Sequence, residues 1–199
     1  MQTDTAPPNS QLQGGTDTVR EQTNVVGSTQ FMGAAAIRVD TRETFTQSGI
    51  PSNYSNYFST DALGDYMLGT LDSISRMEYT PYMATARLSL KPGESSTYPY
   101  SITFTDLATG AVRTMAYSVT DTFEALDSVS TPAGTFKVCR VSSVTTITTA
   151  GYAGRTQNYT SWVGFGNGLM IKSTQTDWDG WKTDRLLQSG TVNGQVIKP

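Results

Sequence analysis

Strict two-residue alternation, with no competing helical period, narrows the fold of this chain more than any other feature. Over residues 98–105, Tyr98, Tyr100, Ile102 and Phe104 alternate with Pro99, Ser101, Thr103 and Thr105. Successive side chains of a strand point to opposite faces, so this run makes one apolar and one polar face. Met115, Tyr117, Val119, Phe123 and Ala125 share one parity of the next run. Earlier, Ile37, Val39, Thr41 and Phe45 share one parity while Arg38, Asp40 and Arg42 share the other. No stretch sustains apolar residues at helical spacing. The expected fold is all-β, mainly antiparallel, with little helix.

Taken in order, residues 1–28 carry Pro7-Pro8, Gly14-Gly15 and many Thr, Gln, Asn and Asp, with only Leu12, Val19, Val25 and Val26 to seed burial. They read as a flexible N-terminal tether. Residues 29–199 read as a single antiparallel β domain, which the length of 199 residues favours over two. Strand signals begin at Phe31, resume at Tyr54, Tyr57 and Phe58, and continue through 66–77 with weaker alternation. Residues 59–76, with cap-like Ser59 and Thr60, leave room for a short helix. Further strands follow at 83–90, 98–105, from Met115 onward, and at 158–163, 169–176 and 181–187. About ten strands joined by loops of two to eight residues suggest a meander.

Two hairpins stand out. At Thr131-Pro132-Ala133-Gly134 proline presets φ for a turn, and glycine takes the positive-φ position that follows without steric cost. Phe136 should then point into the core beside Phe123 or Tyr117. A phase change between Val138 and Val141 suggests a bulge near Cys139-Arg140. Asp179-Gly180 is a type I′ signal that would set Trp178 and Trp181 directly across a turn.

Composition excludes several functions. Net charge is −3 with basic residues spread singly, so no nucleic-acid footprint is present. The longest apolar run, 31–37, is too short for a transmembrane segment. Cys139 is alone and reads as a buried core thiol. The chain contains no histidine. That removes Ser-His-Asp and Cys-His catalysis and histidine metal sites, and one cysteine removes thiolate zinc sites. No catalytic constellation, cofactor or metal is therefore expected, and the protein reads as a non-enzyme. Only paired carboxylates or Ser-Lys chemistry remain open, and the hydrolase alternative rests on carboxylates, from Asp177 and Asp179, Asp121 and Glu124, or Asp61 and Asp65. Asp177-x-Asp179-Gly180 matches part of a calcium loop but lacks its further oxygen ligands. The glycines of 164–168 follow a strand, as in a dinucleotide loop, yet open another strand rather than a helix.

Ten tyrosines and seven methionines are many for one domain. Core packing is their ordinary role. A curved sheet lined by them would also hold an acyl chain or a partner peptide. The candidate ligand-binding residues are Tyr98, Tyr100, Phe104, Met115, Tyr117, Trp162, Trp178 and Trp181. Exposed tryptophans offer the second alternative, a carbohydrate-binding module.

Residues 123–141, with the Thr-Pro-Ala-Gly-Thr-Phe hairpin, and residues 159–172, Tyr-Thr-Ser-Trp-Val-Gly-Phe-Gly-Asn-Gly-Leu-Met-Ile-Lys, together resemble the C-terminal signature of a family of exported bacterial proteins. Many of these are lipoproteins, mostly of unknown function. Related exported families resemble the periplasmic lipoprotein carriers. That resemblance implies a curved meander sheet forming an unclosed barrel with an apolar concave face. It implies periplasmic or outer-membrane-anchored localisation, although Met1 is followed at once by a polar stretch without a leader, as in a cytoplasmic protein. The expected partner is a lipid or other apolar small molecule, or an envelope protein.

Overall fold

The structure is a computed structural model. It describes residues 2–5, 16–45, 49, 51–62, 64–87, 90–165, 168–189, 191–192 and 195–197. In chain order the strands are β1 (Gln2–Thr5), β2 (Thr16–Phe31), β3 (Ala34–Phe45), β4 (Pro51–Asp61), β5 (Gly64–Asp72), β6 (Ser75–Arg87) and β7 (Ser95–Asp106). Then come β8 (Val112–Thr131), β9 (Gly134–Ile147), β10 (Thr156–Gly164), β11 (Met170–Thr176), β12 (Lys182–Leu186), β13 (Thr191–Val192) and β14 (Gln195–Val196). Among the described residues there is no helix, so 59–76 holds β4, β5 and the start of β6 instead.

Strands β2 to β12 form one antiparallel meander in which each pairs with its chain neighbours. The two edges, β2 and β12, do not pair with each other, so this eleven-strand sheet is curved and unclosed. Four-residue β1 lies in the gap and pairs with both, from Gln2 opposite Arg185 and Val19 to Thr5 opposite Lys182 and Thr16. The ring is complete only over those four rows. Higher up, the Arg185 guanidinium crosses the gap, reaching Glu21 at 3.2 Å and Glu43 at 3.2 Å.

The tether reading is corrected for much of its length. Thr16–Phe31 is a strand paired with β3 from Val19 opposite Phe45 to Phe31 opposite Ala34. Residues 21–30 are exposed apart from half-buried Gly27. Backbone pairing, not burial, holds this strand, and a burial-based reading does not see it. Residues 6–15 of the tether lie outside the described residues. Residues 66–77 are also not one strand. Asp72 accepts hydrogen bonds from the Ile74 and Ser75 amides at 2.8 and 2.6 Å, which turns the chain between β5 and β6.

Directly opposed residues share a face of a sheet. Following the register from Tyr100 gives one face bearing Met77, Tyr79, Tyr98, Ile102, Val119, Asp121, Ile147, Ser161, Ser173, Thr70 and Thr41. Its central positions are buried, which makes it the inner face. Two long hairpins instead bury the opposite face at their tips, each beyond a bulge. On β2 the bulge lies between Val25 and Gly27, and Phe31 and Ala36 pack on Tyr57 and Leu68. Phe31 stacks on Tyr57 at 4.3 Å, over Gly69. On β8 the bulge lies between Phe123 and Ala125, opposite Arg140. It sits at the height expected, but on the partner strand.

Past that bulge Phe136 and Val138 pack with Ile171, flanked by Val129, Ala133, Trp162, Leu169 and Leu187. Phe136 is buried as expected, though among these residues and not beside Phe123 or Tyr117. Gly134 has φ 129°, the positive value its turn requires. The Phe165 amide donates to the Lys137 carbonyl at 2.8 Å, tying the glycine loop to β9. The two signature segments are thus one packed structural unit.

Candidate ligand-binding face

Strands β6, β7 and β8 set Tyr98, Tyr100, Ile102 and Phe104 directly opposite Val119, Tyr117, Met115 and Arg113. Met77 and Tyr79 lie opposite Phe104 and Ile102 on the other side. Alternation therefore gathers one contiguous apolar band, to which Met83 also packs. Tyr100 stacks on Tyr117 at 5.1 Å with 12° between planes, and Tyr79 leans on Tyr100 at 5.9 Å. Such offset pairs stabilise beyond the area they bury. Burial pushes the Tyr79 phenol up to about 12 and raises those of Tyr100 and Tyr117 as well.

The band is bounded by charge at both ends. At one, the Arg113 guanidinium sits 5.1 Å over the Phe104 ring. At the other, buried Asp121 accepts hydrogen bonds from the Tyr98 hydroxyl at 3.0 Å and the Ser143 hydroxyl at 2.7 Å. The centre, Tyr100, Ile102 and Val119, is buried, while Phe104, Met115 and Tyr117 are half-exposed toward Arg113.

Five of the expected ligand residues, Tyr98, Tyr100, Phe104, Met115 and Tyr117, thus come together. Trp162 does not join them. It lies opposite Arg140 and Lys172 on the other face, with the Lys172 ammonium 4.5 Å from its ring. Trp178 and Trp181 belong to the turn between β11 and β12. That turn is a hairpin, but not of the expected type. The Gly180 amide donates to the Asp177 carbonyl and the Asp177 amide to the Trp181 carbonyl, so Trp178 and Asp179 are the central residues and Gly180 follows with φ 86°. Asp177, not Trp178, faces Trp181. Cys139 is half-buried rather than a core thiol, and burial raises its pKa.

The candidate carboxylates serve local structure. Asp177 accepts from Gln157 and Gln175, Asp179 from the Trp181 amide, Glu124 from Ser142, Asp61 from the Gly64 amide and Asp65 from Thr60. Among the described residues no three His, Cys, Asp or Glu side chains gather as metal ligands.

Two polar constellations were not foreseen. Glu21 and Glu43 face each other across β2 and β3, bridged by Arg185, with the Tyr54 hydroxyl donating to Glu43 at 3.1 Å. Their sequence signal was lost because Glu21 fell in the presumed tether. A cavity of about 570 Å³ is lined by Gln22, Asn24, Arg38, Asp40, Arg42 and Asn53 among others. A second, of about 440 Å³, is lined by Ser130, Lys172 and Asp184 among others. Gln22, Asn24, Arg38, Asp40, Arg42 and Asn53 lie on the outer face by register. The inner face, apolar over β6–β8, carries Glu21, Thr41 and Glu43 on β2–β3 and Ser161, Ser173 and Arg185 on β10–β12, and so is not apolar throughout.

No protein-family model and no curated protein sequence matches the chain. Solved structures do resemble it. One is the hypothetical lipoprotein YmcC from Escherichia coli K12, with 15% identity, 88% of this chain and 85% of that one covered, and a TM-score of 0.46. Another, described as a lipoprotein, comes from Parabacteroides distasonis, with 11% identity, 98% and 92% covered, and a TM-score of 0.48. A third, from Bacteroides fragilis, is described as exported and YmcC-like in fold, with 13% identity, 99% and 95% covered, and a TM-score of 0.56. The resemblance carried by the two signature segments points to the same kind of protein, and the B. fragilis structure shows that the chain has a YmcC-like fold.

Proposed function

We propose that the chain is a non-enzymatic bacterial cell-envelope protein that binds an apolar ligand on the inner face of its curved sheet. The observation that supports this reading is the continuous band from Met77 and Tyr79 through Tyr100 and Ile102 to Met115 and Tyr117. Methionine adapts its shape to an acyl chain, and tyrosine offers broad contact with a polar tip. Placement in the envelope rests on the descriptions of the B. fragilis structure and on the signature segments. The carbohydrate-module alternative is weaker, because the Arg155 guanidinium already sits 4.4 Å over the Trp178 ring that a sugar would need.

A fluorescent fatty-acid analogue titrated into the protein tests the reading. Met115→Asp and Tyr117→Asp, at half-exposed positions, should each weaken binding at least about tenfold, and Trp178→Ala should not. Absence of binding by the unaltered protein, or equal loss in Trp178→Ala, would remove the proposal.

A further inference from the structure

In an antiparallel meander the connections after β5, β7, β9 and β11 all lie at one end. Here they also touch. The Leu107 amide donates to the Ile74 carbonyl at 2.9 Å, joining the first two turns. The Thr149 hydroxyl accepts from the Ala116 amide at 2.7 Å, holding the loop after β9 against β8. Arg155 lies 5.1 Å over Tyr152 and 4.4 Å over Trp178, joining the last two.

Each connection in this rim lifts an apolar side chain into solvent. Ile74 is 70% exposed, Leu107 43%, Tyr152 44% and Trp178 53%. Three of the rim's carboxylates are turned toward their own turns, Asp72 onto the Ile74 and Ser75 amides, Asp106 onto the Ala108 and Thr109 amides and Asp179 onto the Trp181 amide, and Asp177 accepts from Gln157 and Gln175. Arg113 and Arg155 have no ion pair among the described residues; each lies against aromatic rings.

We propose that this rim rests on a phospholipid surface, with the apolar tips entering the interface and Arg155 and Arg113 meeting phosphate groups. A protein partner of comparable affinity would ask for a groove or a contiguous patch. Separate apolar tips on successive turns suit a broad fluid plane instead. An indole and a phenol interleaved with guanidinium groups match the chemistry of the headgroup layer, where rings sit half in hydrocarbon and cations meet phosphate. The planar guanidinium is suited to paired phosphate oxygens. The proposal is independent of ligand binding in the sheet.

Flotation of the full chain with vesicles of phosphatidylethanolamine and phosphatidylglycerol tests it, beside vesicles of phosphatidylcholine alone. The unaltered protein should float with the mixed vesicles, and its tryptophan emission should shift to the blue. Combining Leu107→Ser with Trp178→Ser should weaken partitioning at least about tenfold. Arg155→Gln should weaken it about fivefold on the anionic vesicles and leave the phosphatidylcholine result unchanged. Met32→Ser and Phe165→Ser, at exposed turns of the opposite end, should have no effect. An unaltered protein that stays in the lipid-free fraction overturns the proposal and leaves the rim to a protein partner. Equal loss from the opposite-end variants overturns it too.

Discussion

Gly69 shows how a single residue is fixed by what lies above it. A Cβ added there would land on the Phe31 ring and on the Met77 carbonyl oxygen. Gly69→Ala should therefore destabilise by about 1 to 3 kcal/mol through overpacking. In Phe31→Ala the part of that cost due to the ring should vanish, while the part due to the Met77 carbonyl oxygen stays. Denaturant unfolding of the four proteins in a double-mutant cycle measures that coupling, and strict additivity would contradict the stacked geometry. Phe136 makes the converse case. It is 3% exposed between Val138 and Ile171, so Phe136→Ala should cost about 3 to 5 kcal/mol, while exposed Lys137→Ala should be nearly neutral. Parity alone revealed that Phe136 is buried. Its neighbours were not legible, because the bulge after Phe123 swings the hairpin tip onto the opposite face and toward residues some thirty positions later.

Strands were legible where one face is buried, since burial is what imprints alternation. Strand β7 and the first half of β8 were read almost to their ends, and with them five residues of the candidate site. Strand β2 was not, because residues 21–30 face solvent nearly throughout and its Thr, Gln and Asn side chains resemble those of a linker. What orders it is the ladder to β3, and pairing leaves no period in composition. The same blindness hid Glu21 and so the bridge to Arg185. Removing residues 1–28 would strip β3 of most of its neighbour and break the link between β12 and β2. A tether would leave thermal unfolding unchanged; a paired strand predicts a fall in midpoint of many degrees. Removing only residues 1–5 should cost far less, since β1 spans four rows.

The molecule as a whole buries phenols. Tyr54, Tyr79, Tyr100, Tyr117 and Tyr159 have pKa values raised chiefly by burial. Removing water disfavours the phenolate, so the folded state holds these protons more tightly than the unfolded chain, whose tyrosines titrate near about 10. The sign follows. Below the unfolded value both states are protonated and the contribution to stability is complete. As pH rises above it, the unfolded state loses protons that the fold retains, and stability falls. For Tyr79 the window runs from about 10 to about 12; for Tyr54 and Tyr100 it extends further upward. Near-ultraviolet absorbance followed with pH should therefore show these five phenols ionising late, in a steep step coincident with loss of the β-sheet circular dichroism. Early, smooth ionisation of Tyr79 and Tyr100 with the sheet signal intact would mean that the centre of the band on β6–β8 is open to water, against the packing described.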